Sequence, residues 1–532
     1  MYDLIIVGAG TAGCVLAERL TASGKLRVLL LEAGGYPTSR FVPIPAAVPK
    51  LFRTHLDWAL QSEPQTCAAG RRIFTPRGRM LGGSANLNFQ IHQWCHPVDF
   101  EGWVAAGATG WGWQDVVPVF LRQECWCGGS GEYERGRDGP MIVSPNRNAR
   151  RLSHAFVAAA RAAGLGTGSN YNGGSYYSGA WLCELAQKDG RRFSAYDAYL
   201  KPAMRRANLD VATKTHATRI VMEANRAVGV VARYGDREVT HASRGVVVAA
   251  GAFGSPQLLM LSGIGPAGSL ANLGITVVRD APEVGANLQD HPVSALVFRV
   301  RGKDTFKSAE SPFNLIRYLA LRRGMLASNG AEAFAFAQTT TGSGIGPDLE
   351  VIFLPLEWRH QGLEPPEVHA CTLAAAVVAP RSRGRVSLDS ADPAAAPLID
   401  FGLLSDSEGF DAAALLAGAR LARRIAATLP LAAEVVDELR PGASAASDRD
   451  LLDALKAELQ TVYHPTSTCR MGSDPGAVVD PTLRVRGVDG LWVADASVMP
   501  SVPRGHPNAV VAMIAERAAG WIEPILVSTG HT

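Results

Sequence analysis

From Tyr2 the chain reads YDLIIV, an apolar run of strand length that ends in GAGTAG and passes into CVLAERLTAS, where apolar positions recur at helical spacing. A second apolar run, LRVLLLE from Leu26 to Glu32, follows at once. Runs that are apolar on both faces, with an amphipathic helix between them, predict a β-α-β unit in a buried sheet. Two later runs share the character: RGVVVAAGAFGS from Arg244, which leads into a predicted helix PQLLMLSG with proline in its first turn, and GLWVADASVMP from Gly490. One layered domain is therefore assembled from segments far apart in the chain. Between them ALVFRV, LEVIFLP and GRVSLDS read as strands, and an alanine-rich segment over 411–440 keeps helical spacing, the pattern of an inserted second lobe. The last periodic segment, NAVVAMIAERAAGWI, has apolar positions at 510, 511, 514, 518 and 522 and Asn508 as its predicted N-cap.

Composition changes the picture by exclusion. The chain has 532 residues, 47% hydrophobic, and a net charge of +3, so its overall charge gives no case for nucleic acid or an acidic membrane surface. Basic pairs such as Arg205-Arg206, Arg322-Arg323 and Arg423-Arg424 are read as solvated faces. The longest low-charge stretch, VHACTLAAAVVAP from Val368, is shorter than the ~20 apolar residues of a spanning helix, so no integral membrane segment is expected. The N-terminus enters a strand with no secretory signal pattern, which gives a cytoplasmic expectation. Eight scattered cysteines do not make a disulfide framework, and the Cys125–Cys127 spacing lacks a second pair, so free thiols and no metal site are expected.

The chemistry begins at the first turn. Gly8, Gly10 and Gly13 occupy the positions of a GxGxxG loop, with Thr11 and Ala12 inside it and Glu32 closing the second strand. Gly8 allows the tight turn, Gly10 lets backbone approach a pyrophosphate, and Gly13 lets the helix pack on the strand. The helix N-terminus offers N–H groups to phosphate. An acid at Glu32 suits a ribose diol and disfavours a 2′-phosphate, which leaves NAD or FAD.

Three segments separate these. GRMLGGSANLN (78–88), GAFGSPQLLMLSGIG (251–265) and VGANLQDHP (284–292) resemble the signature segments and connecting loop of the glucose–methanol–choline (GMC) oxidoreductase family, in its bacterial choline-dehydrogenase-like branch. The resemblance runs from Tyr2 to about Trp521. It implies an α/β protein, α+β overall. A Rossmann-like FAD-binding domain is expected over 1–150, 195–295 and 456–532. A substrate-binding domain over 151–194 and 296–455 would carry a mixed, largely antiparallel sheet flanked by helices. It implies an enzyme, an FAD-dependent alcohol oxidase or dehydrogenase acting on CH–OH donors, whose partners are a small alcohol and either O₂ or a quinone or other acceptor.

Residue by residue, the resemblance implies FAD contacts at Ala33, at Gly82, Gly83, Ser84, Asn86, Leu87 and Asn88, at Ala217 beside adenine, and at Ala250 and Gly251. Asp495 and Ala496 fall beside ribitol and pyrophosphate, and Asn508 and Ala509 open a helix aimed at the flavin pyrimidine edge. Leu87 stands where relatives with tethered FAD have histidine, so noncovalent FAD is expected. Ala85 replaces the usual hydroxyl residue of that motif.

Twelve histidines include two in non-periodic segments beside cofactor elements: His464 in YHPTSTCRMG and His506 in PSVPRGHPNA. They match the family positions facing flavin N5. Alcohol oxidation needs a base for the hydroxyl proton while the α-hydrogen leaves as hydride to N5, and a neutral imidazole suits that task. His464 is the leading base and His506 the group that orients the hydroxyl, with the roles open to exchange. His291, inside LQDHP, is expected to be structural. A non-redox lyase of the cyanohydrin-cleaving kind on the same fold is the alternative reading. The pocket walls are expected from 295–455 and from Phe89 to Trp94, without a substrate choice among ring-borne primary alcohols, sugars and polyols.

Overall fold

The computed structural model describes residues 1–129, 134–166, 170–174, 178–339 and 345–528. Its first layer is a parallel five-stranded sheet in the order Leu209–Ala212, Val28–Leu31, Leu4–Val7, Val246–Val248 and Leu491–Val493. Leu4 to Val7 and Val28 to Leu31 are buried throughout, as sheets covered on both faces require. The helix Thr11–Thr21 packs on the final helix Asn508–Ser528, and Arg19 clamps Glu516 with two hydrogen bonds of 2.8 and 2.9 Å. The first and last segments of the chain thereby close one layer.

The second layer is a seven-stranded sheet. Along it run Val435–Arg440, Pro292–Val300, Ala370–Val377, Leu349–Leu354, Ala333–Ala337 and Gly179–Leu182, all antiparallel, with Gln460–Thr461 also paired to Pro292–Val300. Its period of two is plain in the packing. Val351, Phe353, Leu373 and Ala375 face one core with the helix Phe410–Ala426, whereas Ile352, Leu354, Ala374 and Ala376 face the other side with Phe334 and Phe336. The alanines of that helix let it lie close to the sheet: a Cβ on Gly418 would come within 3.1 Å of the Ala375 Cβ. The low-charge run from Val368 is the central strand Ala370–Val377, and among the described residues no helix is long and apolar enough to cross a membrane.

Three expectations are corrected. The alanine-rich helix ends at Ala426, because the Leu429-Pro430 step cannot continue it, and residues 435–440 are a strand. The helix after Val248 starts at Gly251, which places Pro256 inside it; the carbonyl of Ala252 that proline leaves unpaired accepts from the Thr468 hydroxyl at 2.7 Å. Two of the basic pairs are anchored: Arg206 bonds Glu18 at 2.7 Å, and Arg423 grips Glu438 with two bonds of 2.8 and 2.9 Å. All eight cysteines are free, and no metal-ligating cluster occurs among the described residues.

Candidate active site

Residues of both sheets line a cavity of about 670 Å³. It opens at the carboxyl ends of Leu4–Val7 and Val28–Leu31, where an open parallel sheet leaves its crevice. Gly8 turns the chain at φ +98°, and a Cβ there would lie 2.6 Å from the Ala249 carbonyl oxygen. A Cβ on Gly13 would fall 1.8 Å from the Gly8 carbonyl oxygen, so glycine alone lets the helix start this close to the strand. Gly10 is different. A Cβ at Gly10 would meet no protein atom within 4 Å, yet the residue lines the cavity, so any demand for glycine there comes from an occupant.

Glu32 sits at the same end. Its two oxygens accept from the Ala9 N–H at 2.9 Å and the Gly34 N–H at 2.8 Å, and burial pushes the carboxyl up to about 7. Each oxygen keeps a lone pair for a further donor. A helix start without bulk at Gly10, beside an acid with spare acceptor capacity, fits an adenine dinucleotide.

The glycine loop leads on from there. Gly82, at φ +93°, donates its N–H to the Ala9 carbonyl at 2.7 Å, and a Cβ on Gly83 would lie 2.7 Å from Gly10 Cα. Buried Arg192 holds the loop from behind: it donates to the carbonyls of Ala85 at 3.0 Å and Asn88 at 2.7 Å and to the Asn88 side chain at 2.9 Å. Burial draws its guanidinium down to about 9, against the opposing charge of Asp197.

Most predicted cofactor residues line the one cavity: Gly8, Gly10, Thr11, Ala12, Glu32, Ala33, Gly83, Ser84, Leu87 and Asn88, with Ala217, Ala250, Gly251, Asp495, Ala496 and Asn508. Gly13, Gly82, Asn86 and Ala509 are not among the lining residues. The Asn86 amide turns back to the Leu81 carbonyl at 2.8 Å, and the Ala509 carbonyl accepts from Gln123 at 3.2 Å. Asn508 is the first residue of its helix rather than the N-cap, since the Pro507 carbonyl accepts from the Val511 N–H at 2.9 Å. Its side chain instead accepts the Thr11 hydroxyl at 2.8 Å and so joins the first and last helices. Asp495 accepts from the Gly251 N–H and the Ser497 N–H, each at 2.8 Å, and so fixes the two turns that meet the cavity.

His464 and His506 line the same cavity, with ring centroids 4.9 Å apart and planes at 85°. His464 follows Tyr463, a residue at φ +66° whose carbonyl accepts from Arg77 at 2.7 Å. Asp290 Oδ1 accepts both the His464 N–H at 2.9 Å and the His291 N–H at 2.8 Å, which ties two distant segments together. Burial pushes the Asp290 carboxyl up to about 7, opposed by those N–H bonds and by Arg77. His506 follows Gly505, at φ +104°, and its N–H donates to Gln93 at 3.1 Å.

The side-chain contacts give the pair its asymmetry. His464 Nδ1 lies 3.1 Å from Nδ1 of His291, while His506 Nε2 lies 3.0 Å from Oε1 of Glu350. Burial, then the neighbouring His506, His291 and Arg77, push the His464 imidazolium well below its usual range, so the ring is neutral at neutral pH. Burial and His506 push His291 down to about 3.

Sequence reasoning missed two of these partners. His291 was expected to be structural, yet its ring meets the ring of His464. Glu350 belongs to LEVIFLP, and its parity puts it on the sheet face of Ile352 and Leu354, which line the cavity. A lone acid inside an otherwise apolar strand was the available signal. Around the histidines the wall is apolar and aromatic, with Phe52, Phe89, Ile91, Ile352, Leu354 and Trp358. Trp94 does not line it; the indole stacks on Phe120 and donates to Glu124 at 3.2 Å.

A family model described as GMC oxidoreductase matches residues 2–293, and a second with the same description matches residues 380–515. The chain is 45% identical, over 98% of its own length and 99% of the relative's, to an uncharacterized GMC-type oxidoreductase of Mycobacterium tuberculosis. It is 38% identical, over 98% and 95%, to an alcohol dehydrogenase [acceptor] of Pseudomonas putida. The crystal structure of pyridoxine 4-oxidase from Mesorbium loti superposes with a TM-score of 0.89 at 32% identity, covering 98% of this chain and 99% of that one.

Proposed function

The chain belongs to the GMC oxidoreductase family, and from that premise we propose that it oxidises a primary alcohol on an apolar or aromatic body, with noncovalent FAD and His464 as the base. The observation that carries this is the pairing of a neutral, half-buried His464 with His506 in a cavity continuous with the Gly8–Glu32 cradle. The turn at Gly8–Thr11 and Glu32 would hold the dinucleotide, and Gly83 to Asn88 the flavin, which supplies the two-electron acceptor for the α-hydrogen. No histidine stands at Leu87 to tether it.

His464 takes the hydroxyl proton. The two rings meet Nδ1 to Nδ1, so one of these nitrogens must donate, and we assign His291 Nδ1 as the acceptor. His464 then donates through Nδ1, and its Nε2 lone pair is free for the substrate. A base so placed contributes roughly 10²–10⁴-fold. Glu350 accepts from His506 Nε2 and so fixes the orientation of the ring that we assign to position the hydroxyl.

The wall of Phe52, Phe89, Ile352, Leu354 and Trp358 offers few hydrogen bonds to a polyol, which favours ring-borne or aliphatic primary alcohols over sugars. The test is anaerobic bleaching of the yellow protein by a panel of alcohols, followed by timed reoxidation in air. Bleaching by benzyl-type alcohols at low concentration, with sorbose and glycerol ineffective, is expected. Reoxidation within seconds identifies an oxidase and many minutes a dehydrogenase; no bleaching by any alcohol contradicts the proposal and points to non-redox chemistry.

A further inference from the structure

The helix Pro312–Leu321 is amphipathic in an unusual sense, because its apolar residues point outward. Phe313 is 70% exposed, Leu315 45%, Ile316 66%, Leu319 58% and Leu321 63%, while Tyr318 is buried and hydrogen bonds the Pro43 carbonyl at 3.2 Å. Soluble surfaces carry single apolar residues without consequence, but five large ones on one ten-residue helix form a patch. Holding the helix in place from beneath, Ser311 caps its N-terminus, and the Asn314 amide donates to the Ser308 carbonyl at 2.8 Å.

Charge decides between occupants. Between Lys303 and Arg323 stand five basic residues, Lys303, Lys307, Arg317, Arg322 and Arg323, against Asp304 and Glu310. Both acids are engaged, Asp304 by Arg150 at 3.3 Å and Glu310 by Lys50 at 2.6 Å. No salt bridge holds Arg317, Arg322 or Arg323 among the described residues, and Arg322 lies over the Tyr318 ring. A second copy would bring these arginines against their own images across a two-fold axis. A helix roughly 15 Å long and 10 Å across also offers far less than the ~800 Å² per partner of a stable dimer.

We infer that the helix Pro312–Leu321 seats the protein on an anionic lipid bilayer surface. Phe313, Ile316 and Leu319 enter the headgroup boundary while Arg317, Arg322 and Arg323 meet lipid phosphates. The near-neutral overall charge does not oppose this, since the contact is local and charges beyond a Debye length are screened. The helix is far too short to span. On its inner side Phe306 and Met325 pack with Leu356, which also touches the cluster of Phe89 and Trp358 that lines the cavity. Docking therefore sets the cavity wall one packing layer from the membrane.

The test is co-sedimentation of the flavin-loaded full chain with vesicles of phosphatidylcholine alone and of equal parts phosphatidylcholine and phosphatidylglycerol. The anionic vesicles are expected to bind it, salt to weaken the binding, and F313S/I316S/L319S to lower it more than tenfold. Each Arg→Gln change at Arg317, Arg322 or Arg323 should cost roughly fivefold. Flavin absorbance checks that every variant is folded. The inference is overturned if wild-type protein binds neither vesicle, if the triple serine variant binds as tightly, or if sedimentation equilibrium reveals a dimer that this variant dissociates.

Discussion

Replacing His291 by leucine isolates the contact that distinguishes His464 from the other histidines. Leucine fills comparable space at a site with no solvent exposure but removes the Nδ1 that lies 3.1 Å from His464 Nδ1. In the proposed mechanism His464 takes the substrate proton and that bond becomes charge-assisted, and such bonds contribute about 1.5–3 kcal/mol. Its loss should slow the chemical step roughly 10- to 150-fold. Asparagine places an acceptor oxygen near the lost nitrogen, so His291→Asn should recover most of the rate although it is smaller and more polar. The assay is anaerobic stopped-flow reduction of the bound flavin by a saturating alcohol, which reads the step without contributions from reoxidation. A packing role alone reverses the order, with leucine tolerated and asparagine damaging. That order, or an unchanged rate in both variants, would refute the reasoning.

Glu350→Gln keeps the shape beside His506 but removes the charge at 3.0 Å, and should slow flavin reduction roughly 10- to 100-fold with flavin content unchanged. Gly10→Ala should fold and melt within a few degrees of wild type, since its backbone at φ −70° suits any residue and its Cβ meets nothing, yet it should retain little flavin. Gly13→Ala should fail to fold, because its Cβ collides with the Gly8 carbonyl; soluble, flavin-loaded Gly13→Ala would contradict the cradle as described. His291 is neutral when folded, with a folded value of about 3 below its unfolded ~6.5, so its stabilising contribution is present above pH 6.5 and lost as pH falls toward 3. Urea unfolding should therefore find wild type losing stability relative to His291→Asn by about 1.4 kcal/mol per pH unit through that window.

The dinucleotide cradle was legible because its demands are local: a turn, a close helix start and an acid one strand away all lie within the first 32 residues. The motif segments around Gly82, Gly251, His464 and His506 were legible by resemblance, and the fold brings them to one cavity. What was not legible came from contacts made across the chain. His291 looked like a loop residue because its partner is 173 positions away, and Glu350 looked like one charge in a strand until the sheet register set it over His506. The helix after Val248 was misplaced for a similar reason, as Pro256 sits inside it only because Thr468, far along the chain, satisfies the Ala252 carbonyl. Solvated basic faces failed at Arg206 and Arg423, where acids on other elements claim them.

The most direct measurement is the rate of anaerobic flavin reduction in His464→Gln, with a spectrum to establish that the cofactor is bound. Glutamine retains bulk and a hydrogen-bonding head but cannot hold the proton, so the account predicts a fall of roughly 10²–10⁴-fold with the flavin in place. Reduction at near wild-type rates would mean that another group takes the hydroxyl proton, and would contradict the assignment of His464 as the base.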